Sequence, residues 1–208
     1  MPDDWFEHEV KPRCGGNALL IRYADDLVAA FRYRKDVVYC QRQLPQRVGK
    51  FGLALAQEKT RKLRFNRFRR EESEPFEFLG VEFRWVLSRK GKEIIRLRTT
   101  RKKLRKIAME FKQWCKEERN KRIAWILNQV KAKLRGLRNY FGVIGNSASL
   151  HEIWQVFKRT LYRWLNRRSE RKSYNWNTYA QMLRFYNVED SKKLKNQGIQ
   201  LSFLHFLA

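Results

Sequence analysis

Cysteine, histidine and negative charge are all scarce in this 208-residue chain. The three cysteines, Cys14, Cys40 and Cys115, are odd in number and far apart. That spacing argues against a disulfide framework and fits a reducing compartment. His8, His151 and His205 stand alone and no Cys-x-x-Cys pair occurs, so a zinc site is not expected. No apolar run approaches the ~18 residues of a membrane span. The opening MPDDWFEHEVK is acidic and has no apolar signal core, so a cytoplasmic protein with no membrane partner is expected. Asp and Glu number 21 against 47 Lys and Arg, a net charge of +26. Self-repulsion on that scale destabilises a compact chain unless a polyanion shares its surface. Nucleic acid is therefore the expected partner, ahead of an anionic membrane. The 43% apolar content suffices for one or two cores.

Ala18 to Tyr33, ALLIRYADDLVAAFRY, places two apolar, β-favouring runs around Asp25-Asp26, which predicts a β-hairpin with both acids at its tip. A two-residue hairpin loop favours glycine because its central residues need positive φ, and this one has none. Such local rule-breaking concentrates at functional sites. Adjacent carboxylates on a hairpin also suit Mg²⁺, which prefers oxygen ligands. Before the hairpin, a short helix is expected from Asp4 to Val10, ending at Lys11-Pro12. After it, apolar spacing predicts a helix over 35–51 that Pro45 kinks or restarts and Gly52 stops. A short strand is expected at Leu63–Phe65. Phe76 to Val86, FEFLGVEFRWV, reads as one strand, with Gly80 as a bulge or a point of close backbone approach. Gly91 then tips a turn into a returning strand at Ile94–Leu97.

From Thr99 the apolar period changes from 2 to about 3.6, predicting helices. The first, capped by Thr99 or Thr100, runs to about Glu118 with Leu104, Ile107, Ala108, Phe111 and Trp114 or Cys115 inward. The second spans about 124–140, the third about 150–167, and a short fourth follows an Asn175 or Asn177 cap. Between Ser88 and Tyr140 there are 19 Lys and Arg but only 4 Asp and Glu. One-sided charge on amphipathic helices reads as a phosphate footprint. The candidate RNA-binding residues are Lys102, Lys103, Arg105, Lys106, Lys133, Arg135, Arg138, Arg167 and Arg168. Of the interleaved aromatics Trp114, Trp125, Tyr140 and Phe141, most are expected in the core.

Tyr23-Ala24-Asp25-Asp26 after an apolar strand resembles the metal-binding hairpin of reverse transcriptases. The residues around it resemble those of group II intron reverse transcriptases, the maturases. WFEHEVKPR and FGLALAQEKT resemble the palm segments flanking that hairpin, and FLGVEF resembles the primer grip. LRGLRNYFGVIGNSASL and YRWLNRRSERKSYNW, at 134–150 and 162–176, resemble the thumb or X domain. The resemblance covers roughly residues 5–186. It implies an α+β fold, in which a partial polymerase palm of β-hairpins over 1–98 precedes an α-helical thumb/maturase bundle over 99–186, with an atypical tail at 187–208. It also implies RNA-directed DNA polymerase chemistry with Mg²⁺ in the intact enzyme, and a bacterial setting. Asp25 and Asp26 would be metal ligands, Tyr23 would sit near the primer end, Lys59 would act on the leaving pyrophosphate, and Phe78, Leu79 and Gly80 would form the primer grip. Implied partners are group II intron RNA, an RNA template with a DNA primer, and an upstream fingers–palm polypeptide. The family's third metal-binding acid and its fingers lie upstream of anything in this chain. A C-terminal portion, inactive by itself as a polymerase, is therefore expected. The alternative is a non-catalytic RNA-binding splicing cofactor whose Asp pair is a relic.

Overall fold

The computed structural model describes residues 2–143, 145–168 and 173–188. Apart from its first two residues, the 187–208 tail lies outside them. Two compact units are present, one ending at Leu79 and the other beginning at Gly80.

In the first unit, α1 (Pro2–Trp5) continues without a break into a π turn at Phe6–Val10 and a 3₁₀ turn at Lys11–Arg13. The helical start thus extends on both sides of the expected Asp4–Val10, and Pro12 falls in the first turn of the 3₁₀ segment, where its missing N–H costs nothing. Strands β1 (Ala18–Tyr23) and β2 (Asp26–Phe31) form an antiparallel hairpin in the register Ala18↔Phe31 through Tyr23↔Asp26. Helix α2 (Arg34–Gly49) continues through Pro45, so the proline does not restart it. Cys40 on one side of Pro45 and Val48 on the other are both buried, so tertiary anchoring outweighs the lost backbone bond. The core gathers Trp5, Phe6, Val10, Ala18 and Cys40, with Phe6 against Phe31 at 5.8 Å between ring centroids.

Residues 50–75 hold only two 3₁₀ turns, Gln57–Lys59 and Arg70–Glu72. The expected strand at Leu63–Phe65 does not form. A strand needs a ladder, and here just one backbone bond closes the loop, Glu74 N–H to the Arg64 carbonyl at 2.8 Å. The expected single strand over 76–86 is broken as well. β3 (Phe76–Phe78) ends at Leu79 and Gly80, whose φ values are 52° and 77°. Two successive left-handed residues make a tight turn, not a bulge.

The second unit starts with an antiparallel pair, β4 (Val81–Leu87) and β5 (Glu93–Thr99), in the register Val81↔Thr99 through Leu87↔Glu93. Val81, Phe83, Trp85, Leu97 and Thr99 are buried on one face. Four helices follow: α3 (Arg101–Glu118), α4 (Ile123–Phe141), α5 (Ser147–Leu165) and α6 (Trp176–Phe185). No strand interrupts them among the described residues. Thr100 caps α3, its side chain accepting from Lys103 N–H at 3.3 Å. Asn175 and Thr178 close a reciprocal capping box on α6. Leu104, Ile107, Phe111 and Cys115 form the inward stripe of α3, and Phe111 stacks on Phe157 of α5 at 3.6 Å. The buried Asn146 ties the α4–α5 loop to the strand end. It accepts from Thr99 N–H at 2.9 Å and donates to the Thr99 hydroxyl at 2.8 Å and the Phe141 carbonyl at 2.9 Å. This amide orientation satisfies all three groups.

Candidate nucleic-acid interface

The second unit concentrates exposed cations on elements whose other faces are buried. On α3 the apolar stripe leaves Lys102, Arg105 and Lys106 exposed and Lys103 half-buried. Lys106 meets Glu110 at 3.8 Å, a loose pair with both side chains well exposed. Arg101, Lys102 and Lys103 occupy the first turn of α3, which holds no acid. Cations there oppose the helix macrodipole, and the free N–H groups of that turn attract anions. Stability alone would favour acids at this point, so a polyanion is the partner these residues fit.

The remaining candidates differ in exposure and in what their side chains touch. Arg135 on α4 is exposed and Arg138 is half-buried. Lys133 lies over the Trp114 ring at 5.0 Å, and Arg167 over the Trp164 ring at 5.4 Å. Arg168 donates to the Lys121 carbonyl at 2.9 Å. Lys133 and Arg168 thus link separate parts of the bundle, while Arg167 packs on the end of its own helix. Cation–π contact leaves the positive charge in place, so Lys133 and Arg167 can still attract phosphate.

The aromatics correct an expectation. Phe141 is buried and Trp114 half-buried, but Trp125 is 40% exposed and Tyr140 48% exposed. Helical spacing places a residue on a face; it does not say whether another element covers that face. Trp125 continues a stacked row, with Trp114 at 6.4 Å and Phe111 a further 5.6 Å along. At the start of α6, Trp176 is 49% exposed and stacks on Tyr162 at 4.0 Å. Partly exposed rings beside cations are the surface that unpaired bases stack on.

The polymerase-like residues lie in the first unit, except for Gly80. Tyr23 ends β1 and is exposed. The two loop residues are Ala24 and Asp25, while Asp26 already belongs to β2, so the two acids do not share the tip. The strain of the glycine-free loop falls on Ala24, at φ 51°, and not on an aspartate. Asp25 and Asp26 are both exposed. The acid nearest in purpose, Asp3, is bonded to Arg22 at 2.6 Å, and the Arg22 guanidinium holds its carboxyl below the usual range. No group of three or more His, Cys, Asp or Glu able to hold a metal occurs among the described residues. A two-metal site needs carboxylates on both sides of the metal pair, and Asp25 and Asp26 are adjacent on one hairpin. Lys59 is exposed on a 3₁₀ turn. Phe78 ends β3, and Leu79 and Gly80 form the turn after it. A Cβ at Gly80 would meet Lys103 Cγ at 3.5 Å, an ordinary contact. Its φ of 77° is therefore what calls for glycine there.

Burial pushes the Cys40 thiol up to about 11 and the Cys115 thiol up to about 12, which disfavours the reactive thiolate. No helix among the described residues is long and apolar enough to cross a membrane.

A basic helical bundle with cation-flanked aromatics defines an RNA-binding class of surface. Residues 104–182, from α3 into α6, match the family model of the group II intron, maturase-specific domain. Neither a curated protein nor a solved structure matches the chain.

Proposed function

We propose that this chain is the RNA-binding portion of a group II intron maturase, with its second unit docking on structured intron RNA to assist splicing. The observation that carries this reading is the exposed, acid-poor cationic surface of α3 and α4 within the stretch that matches the maturase-specific domain. Lys102, Arg105, Lys106 and Arg135 would neutralise backbone phosphates. Lys133 and Arg167 would add charge beside aromatic rings. Phosphate contacts of this kind supply affinity and position, while bases unpaired in loops would stack on Trp125 or Trp176. The test is binding of the 208-residue chain to a folded group II intron transcript across a salt titration. Log affinity is expected to fall linearly with log salt, because each neutralised phosphate releases counterions. Affinity that stays flat between low and moderate salt refutes the reading.

The hairpin favours a second reading, in which the same chain is the C-terminal part of a reverse transcriptase. What supports it is the Tyr23-Ala24-Asp25-Asp26 stretch on a β-hairpin, whose two acids would be metal ligands, and a separate fingers–palm polypeptide would supply a third acid. The test is primer extension on an RNA template with Mg²⁺, by the chain alone and with such a polypeptide added. Extension that needs both chains and is lost in Asp25→Ala supports this reading. Extension by neither arrangement removes it and leaves the non-catalytic splicing cofactor.

A further inference from the structure

Strand alternation divides the β4–β5 hairpin into two faces of opposite character. Val81, Phe83, Trp85, Leu97 and Thr99 are buried. The other face shows Glu82 opposite Arg98, Arg84 opposite Arg96, and Val86 opposite Ile94. Arg84, Arg96 and Arg98 are all exposed. Glu82 is the only acid in these three rungs, and it pairs with Arg84 at 3.2 Å. Among the described residues, the side chains of Arg96 and Arg98 make no hydrogen bond or ion pair, while their backbones pair in the β4–β5 ladder.

This arrangement works against the free protein. Directly opposed residues on an antiparallel pair bring their Cβ atoms to ~4.5–5.5 Å, and like charges in that position repel. Arg84 and Arg96 occupy such a rung with one carboxylate to share among three guanidiniums. The strands would pair better with threonine or valine there. The face is also rigid. The buried side is packed, and Asn146 fixes Thr99 at the end of β5 through both backbone and side chain. Arg96 and Arg98 therefore project from one strand with a repeat of ~6.6–6.8 Å, comparable to the separation of successive phosphates on one nucleic-acid strand.

We propose that the outward face of the β4–β5 hairpin is a second phosphate-binding surface, on which Arg84, Arg96 and Arg98 hold the sugar–phosphate backbone of the bound RNA. The inference rests on the RNA-binding reading above and extends it to a surface outside the 104–182 match. Guanidinium suits this task because its planar fork meets two phosphate oxygens at once. The three rungs carry no aromatic platform, and what they offer is a row of guanidinium forks suited to phosphate oxygens, so backbone is what the surface recognises.

The test compares the whole chain with Arg96→Gln/Arg98→Gln on a folded group II intron transcript, using a salt titration of binding and a thermal melt of the free protein. Arg42→Gln/Lys50→Gln removes the same charge from exposed positions of the first unit and serves as the control. The Arg96/Arg98 variant is expected to lower the log–log salt slope by about 1.5–2 and the affinity about tenfold or more. The control should lose less than about threefold, as expected for long-range screened charge. The free variant should melt no lower than the parent, because the opposed pair is relieved. Arg96→Lys/Arg98→Lys should keep the slope while losing part of the affinity, since charge remains without the fork. A variant that binds like the control overturns the proposal while the RNA reading stands. A free Gln variant that melts lower or fails to fold also overturns it, since these arginines would then be structural. If the parent chain binds no RNA, both readings fall.

Discussion

The two units use charge in opposite ways. Residues 1–79 carry 16 Lys and Arg with 12 Asp and Glu, whereas residues 80–188 carry 28 with 7. In the first unit, acids answer cations. Asp3 holds Arg22, Glu7 holds Lys11, Glu9 reaches Arg47 and Glu72 holds Arg64. Even the buried Asp36 is used internally, accepting from Gly15 N–H at 3.1 Å. In the second unit, several cations rest on rings or carbonyls, and acids are few: Glu110 lies loosely by Lys106 at 3.8 Å and Glu82 by Arg84 at 3.2 Å. Exposed ion pairs contribute little stability in any case. The contrast therefore bears on partners more than on folding. A surface that leaves its cations unanswered keeps them for an external polyanion.

The largest effect expected from breaking this contrast is on the second unit's own core. Phe157→Ala deletes a buried ring stacked on Phe111 and should cost about 3–5 kcal/mol. Cys115 and Cys40 report the two units separately, because each thiol is buried and held far from its reactive form. Timed alkylation read by mass spectrometry should show Cys115 reacting sooner in Phe157→Ala while Cys40 keeps its parental rate. Equal acceleration at both cysteines would mean that the units unfold together.

Next in size is a charge exchange between the units. Reversing Lys102, Lys103, Arg105 and Lys106 to Glu is expected to weaken intron RNA binding about 100-fold, ~2.8 kcal/mol at 1.4 kcal/mol per decade. Reversing Arg42, Lys50, Lys59 and Lys62 instead should cost less than tenfold, as measured by filter binding at fixed salt. Parity between the two sets would show that net charge alone governs binding.

Asn146→Ala removes one acceptor and two donor contacts from a site 1% exposed, and it strands Thr99 N–H and the Phe141 carbonyl. A loss of about 2–3 kcal/mol is expected from chemical denaturation. Asn146→Asp keeps the acceptor for Thr99 but cannot donate to Phe141, and it should be at least as damaging because it buries a charge.

The smallest effect belongs to acid pH in the first unit. Arg22 lowers the Asp3 pKa, so the pair's contribution is fully present above the ordinary Asp value of about 3.9. It disappears as pH falls through the depressed folded value. Asp3→Asn should remove that part of the acid dependence and leave neutral-pH stability nearly unchanged, because both side chains are partly exposed.

Much of the fold was legible because local chemistry dictated it. The 18–31 hairpin followed from two apolar runs around a polar pair, the Thr100 cap from a hydroxyl before a helical period, and the Asn175 cap likewise. The inward residues of α3 were readable from their 3.6 spacing, because one stripe must face the core. The failures share a cause. Leu63–Phe65 has strand residues but forms no strand among the described residues, and Pro45 has a breaker's chemistry in a helix anchored on both sides. Spacing puts most of the interleaved aromatics in the core, whereas Trp125 and Tyr140 are 40% and 48% exposed.

The same line divides the candidate sites. The sequence by itself determined the excess of positive charge, its crowding after Ser88, the aromatic-Ala-Asp-Asp hairpin and the helical character of the second unit, because composition and period are properties of the chain. Tertiary structure decided which cations meet a distant part of the chain and which face open solvent. Lys133 lies over Trp114 and Arg168 donates to the Lys121 carbonyl, while Arg96 and Arg98 are left on an open face. It also decided that Asp25 turns in the loop while Asp26 starts a strand. A side chain's partner is set by residues distant in sequence, such as Asn146 reaching Thr99, and no local pattern encodes that pairing.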